Sequence, residues 1–447
     1  MTYKEARVYL DEMSKYGSVL GLDTIRGLLN ELGNPQDSLK FIHIAGTNGK
    51  GSVLAYTSTV LSEAGYRTGR YVSPTVVSYL ERIQVDGRWI PEDRFSELTG
   101  KVKEAIARME AAKEPLPTVF EAETAIAFLY FKEVNCDFVV LECGLGGELD
   151  ATNIVKNTVC AVFASISRDH IGILGNTTEE IAANKAGIIK NGCSVVSAFQ
   201  RETVRKVLRE KADALGCPFE QADPEERVLW EEDWHGSCFS YKEFDRIRIR
   251  LAGKNQADNA VTALEVVRSL RKAGYAISEE AVRRGMESAV WPGRFTCIGE
   301  RPVIILDGAH NEDAAVRLRE SAEAYFPGRR LIYIMGVFKD KEYKKIAAIM
   351  GPLASSVYTV SLPDGNRTLP AQQLAEAVRP FCGNASAERS ITEAAEKALK
   401  EAGEEDVILV FGSLSYLHQA RQALEAGISE RKRMAGPFSE KEEGESI

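Results

Sequence analysis

No apolar run in this 447-residue chain approaches the roughly 20 residues that a membrane-spanning helix needs, so no membrane partner is expected. Positive charge is also short. Lys and Arg number 56 against 65 Asp and Glu, for a formal charge of −9, which gives no electrostatic reason to expect nucleic acid. Histidine is scarce, at five residues, and the eight cysteines (136, 143, 160, 193, 217, 238, 297 and 382) nowhere form C-x-x-C. Several sit in apolar strand-like runs, so buried free thiols in a reducing cytoplasm fit better than disulfides or zinc. The opening MTYKEARVYLDEMSKYG mixes acids into an amphipathic stretch, and neither a signal peptide nor a transit peptide is expected. No repeat of solenoid period is present.

What remains is the composition of a soluble globular protein, 44% hydrophobic and 27% charged, long enough for two or three domains. FIHIAG, DFVVLECG, TVCAVFASI and CSVVSAF read as strands buried on both faces. Helical stretches such as Gly51–Ala64 and Glu121–Lys132 separate them. A second series, PVIILDGAH, RLIYIMGVF, SVYTVSL and DVILVFGS, follows Trp291-Pro-Gly-Arg294. The class is therefore α/β with mostly parallel sheets. Between the series, pieces such as IRIRLAG are expected as antiparallel strands beside the main sheet. The expected division is a first domain over 1–295, a smaller Rossmann-like α/β domain over 296–430, and a charged, flexible tail over 431–447.

The first strand runs into GTNGKGS, Gly46 to Ser52. A strand, a glycine-rich turn and a helix present backbone N–H groups and a helix N-terminus to one point, which favours an anion. Thr47, Asn48, Gly49, Lys50, Gly51 and Ser52 are thus the candidate phosphate cradle. Lys50 would place its charge on the outer phosphates, and Ser52 or Thr47 would reach a magnesium ion. The string departs from strict G-x-x-x-x-G-K-[ST], since Gly51 separates Lys50 from Ser52, and a generic glycine turn is the alternative.

GTNGKGS is typical of the Mur-type ligases, and further stretches narrow the match: GLDTIRGLLNELGNPQ, YVSPTVVSYLERIQVDG, FEAETAIAFLYF, LECGLGGELDATN, SISRDHIGILGNTTEEIAANKAGIIK, WPGRF, DGAHN and FGSLSYL. In this order, over nearly the whole length, they resemble the folylpolyglutamate synthase/dihydrofolate synthase family. The resemblance implies an N-terminal P-loop ATPase domain and a C-terminal glutamate-ligase domain. It also implies a reaction: ATP phosphorylates a carboxylate, and the amino group of L-glutamate displaces phosphate from the acyl phosphate. The implied acceptors are dihydropteroate, a reduced folate, or both, with the bifunctional form expected. Such chemistry needs positive charge around an anionic γ-phosphate.

The same resemblance assigns roles. Glu142, at the end of DFVVLEC, becomes a magnesium ligand, and a strand-end carboxylate is by chemistry a hard oxygen donor suited to that ion. Ser73 of YVSP stands beside the metal, and His170 of SRDHIG ligates a second ion. Lys185 of NKAGIIK matches a lysine that CO2 converts to a carbamate, a bidentate metal ligand; a lysine that binds phosphate directly or faces solvent is the alternative. Lys50, Lys185, His170 and Arg294 form the expected catalytic set. Glu121 and Thr124 of FEAET, with Thr75, Asp150 and Thr152, are expected near the substrate. Gln256 and Asn259 are placed on the adenine side, and Arg294, Asp307 and His310 on the nucleotide from the second domain, implying closure before chemistry. Lys341 and Arg367 are weaker candidates for the incoming glutamate. His43 and His418 are expected to be structural, and His235 falls in an uninformative region.

Three positions depart from the family pattern: Glu148 where arginine is usual, Thr75 where histidine or an aromatic is common, and Asn255 where histidine is usual. They bear on acceptor specificity more than on ligase chemistry. A cell-wall Mur ligase is the rival within the class, but only about 40 residues precede the loop, too few for a separate uridine-nucleotide domain. A non-enzymatic ATP switch is the rival outside it, and it would not need Ser73, His170, Lys185 or the second-domain set. A monomer is expected.

Overall fold

A computed structural model describes residues 1–13, 21–169, 172–363 and 367–435. The chain divides into two compact units, one of Met1–Glu232, Gly236–Leu251 and Asn255–Trp291, the other of Asp233–His235, Ala252–Lys254 and the chain from Pro292 onward. The division has a packing cause: Trp291 is buried in the first unit's core, whereas Phe295 belongs to the core of the second.

The first unit is built on β1 (Phe41–Ala45), β2 (Thr68–Tyr71), β3 (Ile83–Val85), β4 (Arg88–Trp89), β5 (Phe138–Glu142), β6 (Thr158–Phe163), β7 (Ser194–Ser197) and β8 (Phe219–Gln221). Their order is β4-β3-β2-β5-β1-β6-β7-β8, parallel from β2 to β8, with β3 and β4 antiparallel at one edge. The apolar character of β1 and β5 follows from cover on both faces. Ile42, Ile44 and Val140 pack with Val53, Leu54 and Val261 on one side; Phe41, Val139 and Leu141 pack with Ile126, Phe128 and Leu28 on the other. That alternation is the period of two of a pleated strand. The helix Lys50–Glu63 fills one face, and Val119–Glu133, opened by a Thr118/Glu121 capping box, fills the other. The chain leaves β1 for β2 across β5 and leaves β5 for β6 across β1, so a crevice opens at the carboxyl ends of these strands.

β9 (Arg227–Asp233), β10 (Gly236–Tyr241) and β11 (Phe244–Ile249) form a separate sheet in the order β11-β10-β9. The antiparallel strand expected in IRIRLAG is present, in a small sheet of its own whose Phe239, Phe244 and Ile247 share one core cluster with Ile42 and Val140 of the large sheet. Glu265, on the helix Gln256–Lys272, fastens the two together: its carboxylate accepts from Tyr241 and Lys242 at 2.7 Å each and from Arg268 at 2.9 Å.

The second unit holds β12 (Thr296–Glu300), β13 (Val303–Leu306), β14 (Leu331–Met335), β15 (Ala354–Thr359), β16 (Ala385–Ala387) and β17 (Val407–Phe411). The order is β12-β13-β17-β14-β15-β16, parallel except for β12. It matches the expected Rossmann-like α/β unit, with the β13-to-β14 connection passing over β17. The final helix, Leu417–Ala435, takes in the first residues of the expected tail; 436–447 lie outside the described residues. Among the described residues no helix is long and apolar enough to cross a membrane.

Candidate active site

The glycine-rich loop leaves β1 at Ala45 and enters its helix at Lys50. Gly49 has φ +88°, and a Cβ there would stand 2.5 Å from Asn259 Oδ1, so only glycine serves. Gly51 is equally constrained, since a Cβ would meet Trp291 Nε1 at 2.4 Å. Thr47 is occupied with the loop's own anchoring. Its N–H donates to Ser165 O at 2.7 Å, its Oγ1 donates to Ser167 O at 3.0 Å, and the same hydroxyl accepts from Ser167 N at 3.1 Å. Asn48 N adds a bond to Ser165 O at 3.2 Å. Ser52 differs: its hydroxyl is fully buried, in the first turn of the helix, and has no hydrogen-bond partner among the described residues. Of the two hydroxyls that the sequence offers to a cation, Ser52 is the one left available.

Lys50 Nζ donates to Thr47 O at 3.3 Å and lies 3.8 Å from Glu142 Oε1. Glu142 ends β5, the parallel neighbour of β1, and is 6% exposed. Lys185, the last residue of the helix Thr178–Lys185, is 4% exposed and donates from Nζ to Gly46 O at 3.0 Å. Burial, and after it the nearby charge of Lys50, pushes the Lys185 ammonium down to about 8. One pocket is lined by Gly46, Thr47, Lys50, Cys143, Asp169 and Lys185 among others. Loops after β1, β5 and β6 therefore converge at the edge where open α/β sheets take ligands. Sequence reasoning missed Asp169, although it stands beside His170 in the motif SRDH. His170 itself lies outside the described residues.

Asp150 and Thr152 are engaged inside the loop that follows Glu142. The Asp150 carboxylate accepts from Leu145 N at 2.7 Å, Thr152 N at 3.0 Å and Thr152 Oγ1 at 2.5 Å. Having given its proton to Asp150, the Thr152 hydroxyl accepts from His43 Nε2 at 2.9 Å, which puts the ring proton on Nε2. Burial, aided by Lys190, drives His43 down to about 3, so the ring is neutral. Cys143 Sγ completes the cluster 3.1 Å from the same nitrogen. His43 is structural, as its strand position implied.

Glu121 and Thr124 also spend their polar atoms internally. Glu121 accepts from Thr118 N at 2.7 Å and Thr118 Oγ1 at 2.9 Å, the reciprocal half of the helix cap. Thr124 Oγ1 donates to Phe120 O at 2.7 Å and meets the Tyr71 hydroxyl at 3.1 Å. Ser73 and Thr75 are half-buried in the loop beyond β2. Gln256 and Asn259 are buried at the start of their helix; Asn259 Nδ2 donates to Gln256 Oε1 at 3.2 Å, while its Oδ1 closes on Gly49. Asn255 is half-buried beside them, and Glu148 is exposed.

In the second unit Asp307 follows β13, accepting from Phe295 N and Ala309 N at 2.8 Å each. Burial raises its carboxyl above the usual range, and Arg294 partly offsets that. Arg294 Nη1 donates to Gly293 O at 3.2 Å, and His310 Nδ1 to Gly308 O at 2.7 Å. Arg367 pairs with Asp340 at 3.2 Å on the surface, and Lys341 follows in the same loop. His235 stacks on Trp234, and His418 Nδ1 is buried without a hydrogen-bond partner among the described residues.

Two lysines, an acid and an open-handed hydroxyl at one strand edge suit a polyphosphate with its cation. Among the described residues no group of three or more His, Cys, Asp and Glu side chains could hold a metal. Magnesium usually takes one or two protein oxygens and completes its shell with phosphate and water. Ser52 Oγ and Glu142 are the oxygen donors that fit.

Residues 44–267 match the Mur ligase middle domain, and 293–414 the Mur ligase glutamate ligase domain. A dihydrofolate synthase/folylpolyglutamate synthase of Bacillus subtilis is 35% identical, covering 94% of this chain and 99% of the relative. Escherichia coli FolC in complex with DHPP and ADP superposes with a TM-score of 0.83 at 31% identity, covering 95% of this chain and 98% of that one. Mycobacterium tuberculosis folylpolyglutamate synthase, complexed with ADP and AMPPCP, gives 0.85 at 28% identity, covering 94% and 99%. The chain belongs to the folylpolyglutamate synthase/dihydrofolate synthase family of ATP-dependent ligases.

Proposed function

We propose that this ligase joins the amino group of L-glutamate to the carboxylate of a pteroate and of a reduced folate, acting on both acceptors. The observation that carries the reading is that Lys50 lies 3.8 Å from Glu142 and Lys185 donates to Gly46 O, at the carboxyl ends of the adjacent strands β1 and β5. The names of the relatives supply the acceptor class. An acceptor carboxylate oxygen attacks the γ-phosphorus, ADP departs, and an acyl phosphate forms. The glutamate nitrogen then adds to the acyl carbon, loses a proton, and the C–O bond to phosphate breaks to leave an amide.

Lys50 neutralises the γ-phosphate as its bond to ADP lengthens, and the backbone N–H groups of residues 49–52 hold the β-phosphate. Magnesium would be held by Ser52 and Glu142, with Ser73, His170 and the Lys185 carbamate as the further ligands of the set, and when bound it would supply charge neutralisation on the phosphates. Lys185 carries a CO2-derived carbamate; its buried amine, lowered to about 8, has the neutral fraction that such an adduct requires. Gln256 and Asn259 serve the adenine side, and Arg294, Asp307 and His310 are the second unit's nucleotide contacts. Thr75, Glu121, Thr124, Asp150 and Thr152 shape the acceptor site, the last four by fixing its walls. A reducing cytoplasmic setting, in keeping with eight free cysteines, and a monomeric state belong to the same proposal.

The test is phosphate release from MgATP with glutamate, comparing dihydropteroate with tetrahydrofolate. Release with both supports the bifunctional reading, release with one assigns a single activity, and release with neither rejects the acceptor class.

A further inference from the structure

The segment between β2 and β3 contains a buried acid that the reaction does not use. Glu81 is 3% exposed, and its Oε2 accepts from two successive backbone N–H groups, Val76 at 3.1 Å and Val77 at 2.8 Å. These amides lie just beyond Ser73 and Thr75. Other bonds close the same loop around the carboxylate. Val72 N donates to Arg82 O at 3.0 Å across its base, and Glu81 N donates to Ser78 O at 3.1 Å. Gln84 Nε2 holds the Glu81 carbonyl at 2.8 Å.

The turn that carries Glu81, Tyr79–Arg82, is itself fixed. The Tyr79 hydroxyl and Arg82 Nη1 both donate to the buried carboxylate of Glu123, on the helix Val119–Glu133. Arg7 stacks 3.2 Å above the Tyr79 ring, and Arg82 lies 4.5 Å from the same ring. The loop from Ser73 to Ser78 thus has one strongly held end, and Glu81 carries that rigidity to its middle. A carboxylate suits the task because it only accepts, and an ionised oxygen binds two converging N–H groups more strongly than a neutral one.

We propose that Glu81 is a positioning residue for the ligation reaction, its side chain setting the path of the loop that presents Ser73 and Thr75 at the carboxyl edge of β2. The inference rests on the placement of Ser73 and Thr75 given under Proposed function. Glu81 touches no reacting atom in this scheme. It acts through the loop backbone, and its loss lets Ser73 drift by a distance that matters for phosphoryl and acyl transfer.

The test is a double-substitution cycle of Glu81→Ala with Ser73→Ala, reading kcat, KM for the acceptor, ADP affinity and melting temperature. In the wild-type background Glu81→Ala is expected to lower kcat about 30-fold, the scale of a displaced catalytic group, with ADP affinity unchanged at the separate glycine loop. In the Ser73→Ala background the same change is expected to cost only about twofold, because the two substitutions spoil one interaction. Glu81→Gln, which keeps an acceptor oxygen, is expected to retain most of the turnover. If Glu81→Ala does not fold, Glu81→Asp, whose shorter side chain withdraws the carboxylate from Val76 N and Val77 N, carries the cycle. Equal costs in both backgrounds, or a kcat within twofold of wild type in a folded Glu81→Ala or Glu81→Asp, overturn the inference. An inactive wild type would instead reject the proposed reaction, a separate outcome.

Discussion

At the scale of single residues, chemistry and scaffolding are interleaved within a few positions of each other. Lys50 and the unmodified Lys185 ammonium stand as like charges in one pocket lining, an arrangement whose cost conversion of Lys185 to an anionic carbamate removes. Lys50→Ala is expected to lower phosphate release on the order of 100- to 1,000-fold, as loss of a charge-stabilising group does, while melting stays near wild type. Turnover within tenfold of wild type would contradict the role. For Lys185, raising the pH from 6.5 to 8.5 at fixed dissolved CO2 is expected to increase carbamate formation, because the amine loses its proton around 8. The check is a 13C resonance from labelled CO2 that disappears in Lys185→Ala. Lost turnover in that variant should return partly with short carboxylic acids, and a wild type without the resonance would reject the carbamate. Motif order made Lys50, Glu142 and Lys185 legible. It could not separate Ser52 from Thr47, because which hydroxyl is already engaged depends on the segment after β6. Nor could it show that Asp150, Thr152 and Glu121 direct their polar atoms inward, since those partners are set by tertiary contacts.

At the scale of elements, long apolar strands were readable and short ones were not. FIHIA and FVVLE are buried on both faces and announce themselves by composition; TGRY, IQV and ASA are too short to carry a period and exist through pairing with neighbours. The IRIRL segment shows a true strand signal, but its sheet is selected by the contact with the helix Gln256–Lys272. Glu265 makes that contact. Burial would raise its carboxyl, but hydrogen bonds from Lys242, Tyr241 and Arg268 outweigh burial and hold it below the ordinary 4.5. The sign follows: a carboxyl depressed on folding stabilises fully above pH 4.5, and that contribution is lost as pH falls through the lower folded value. Glu265→Gln is expected to cost about 3 kcal/mol at pH 7, since it leaves Lys242 and Arg268 without their buried counter-charge. Urea titrations at pH 7 and pH 4 should show a smaller pH dependence in the variant. An unchanged difference between the two pH values would mean that Glu265 is not the acid-sensitive contact.

At the scale of the whole molecule, the two-unit α/β plan follows from two series of buried strands, and the division near residue 292 from which core claims Trp291 and Phe295. Linkage offers a check on the nucleotide site independent of turnover. ADP at 100 times its Kd is expected to stabilise the folded chain by about 2.7 kcal/mol, and Lys50→Ala should shift the ADP concentration needed. The measurement that bears most directly on the central claim is glutamate-dependent phosphate release from MgATP by wild type and Lys50→Ala in parallel, with dihydropteroate or tetrahydrofolate as acceptor. The prediction is release that requires both acceptor and glutamate and collapses in Lys50→Ala. Release that ignores glutamate, or that survives without Lys50, would contradict it.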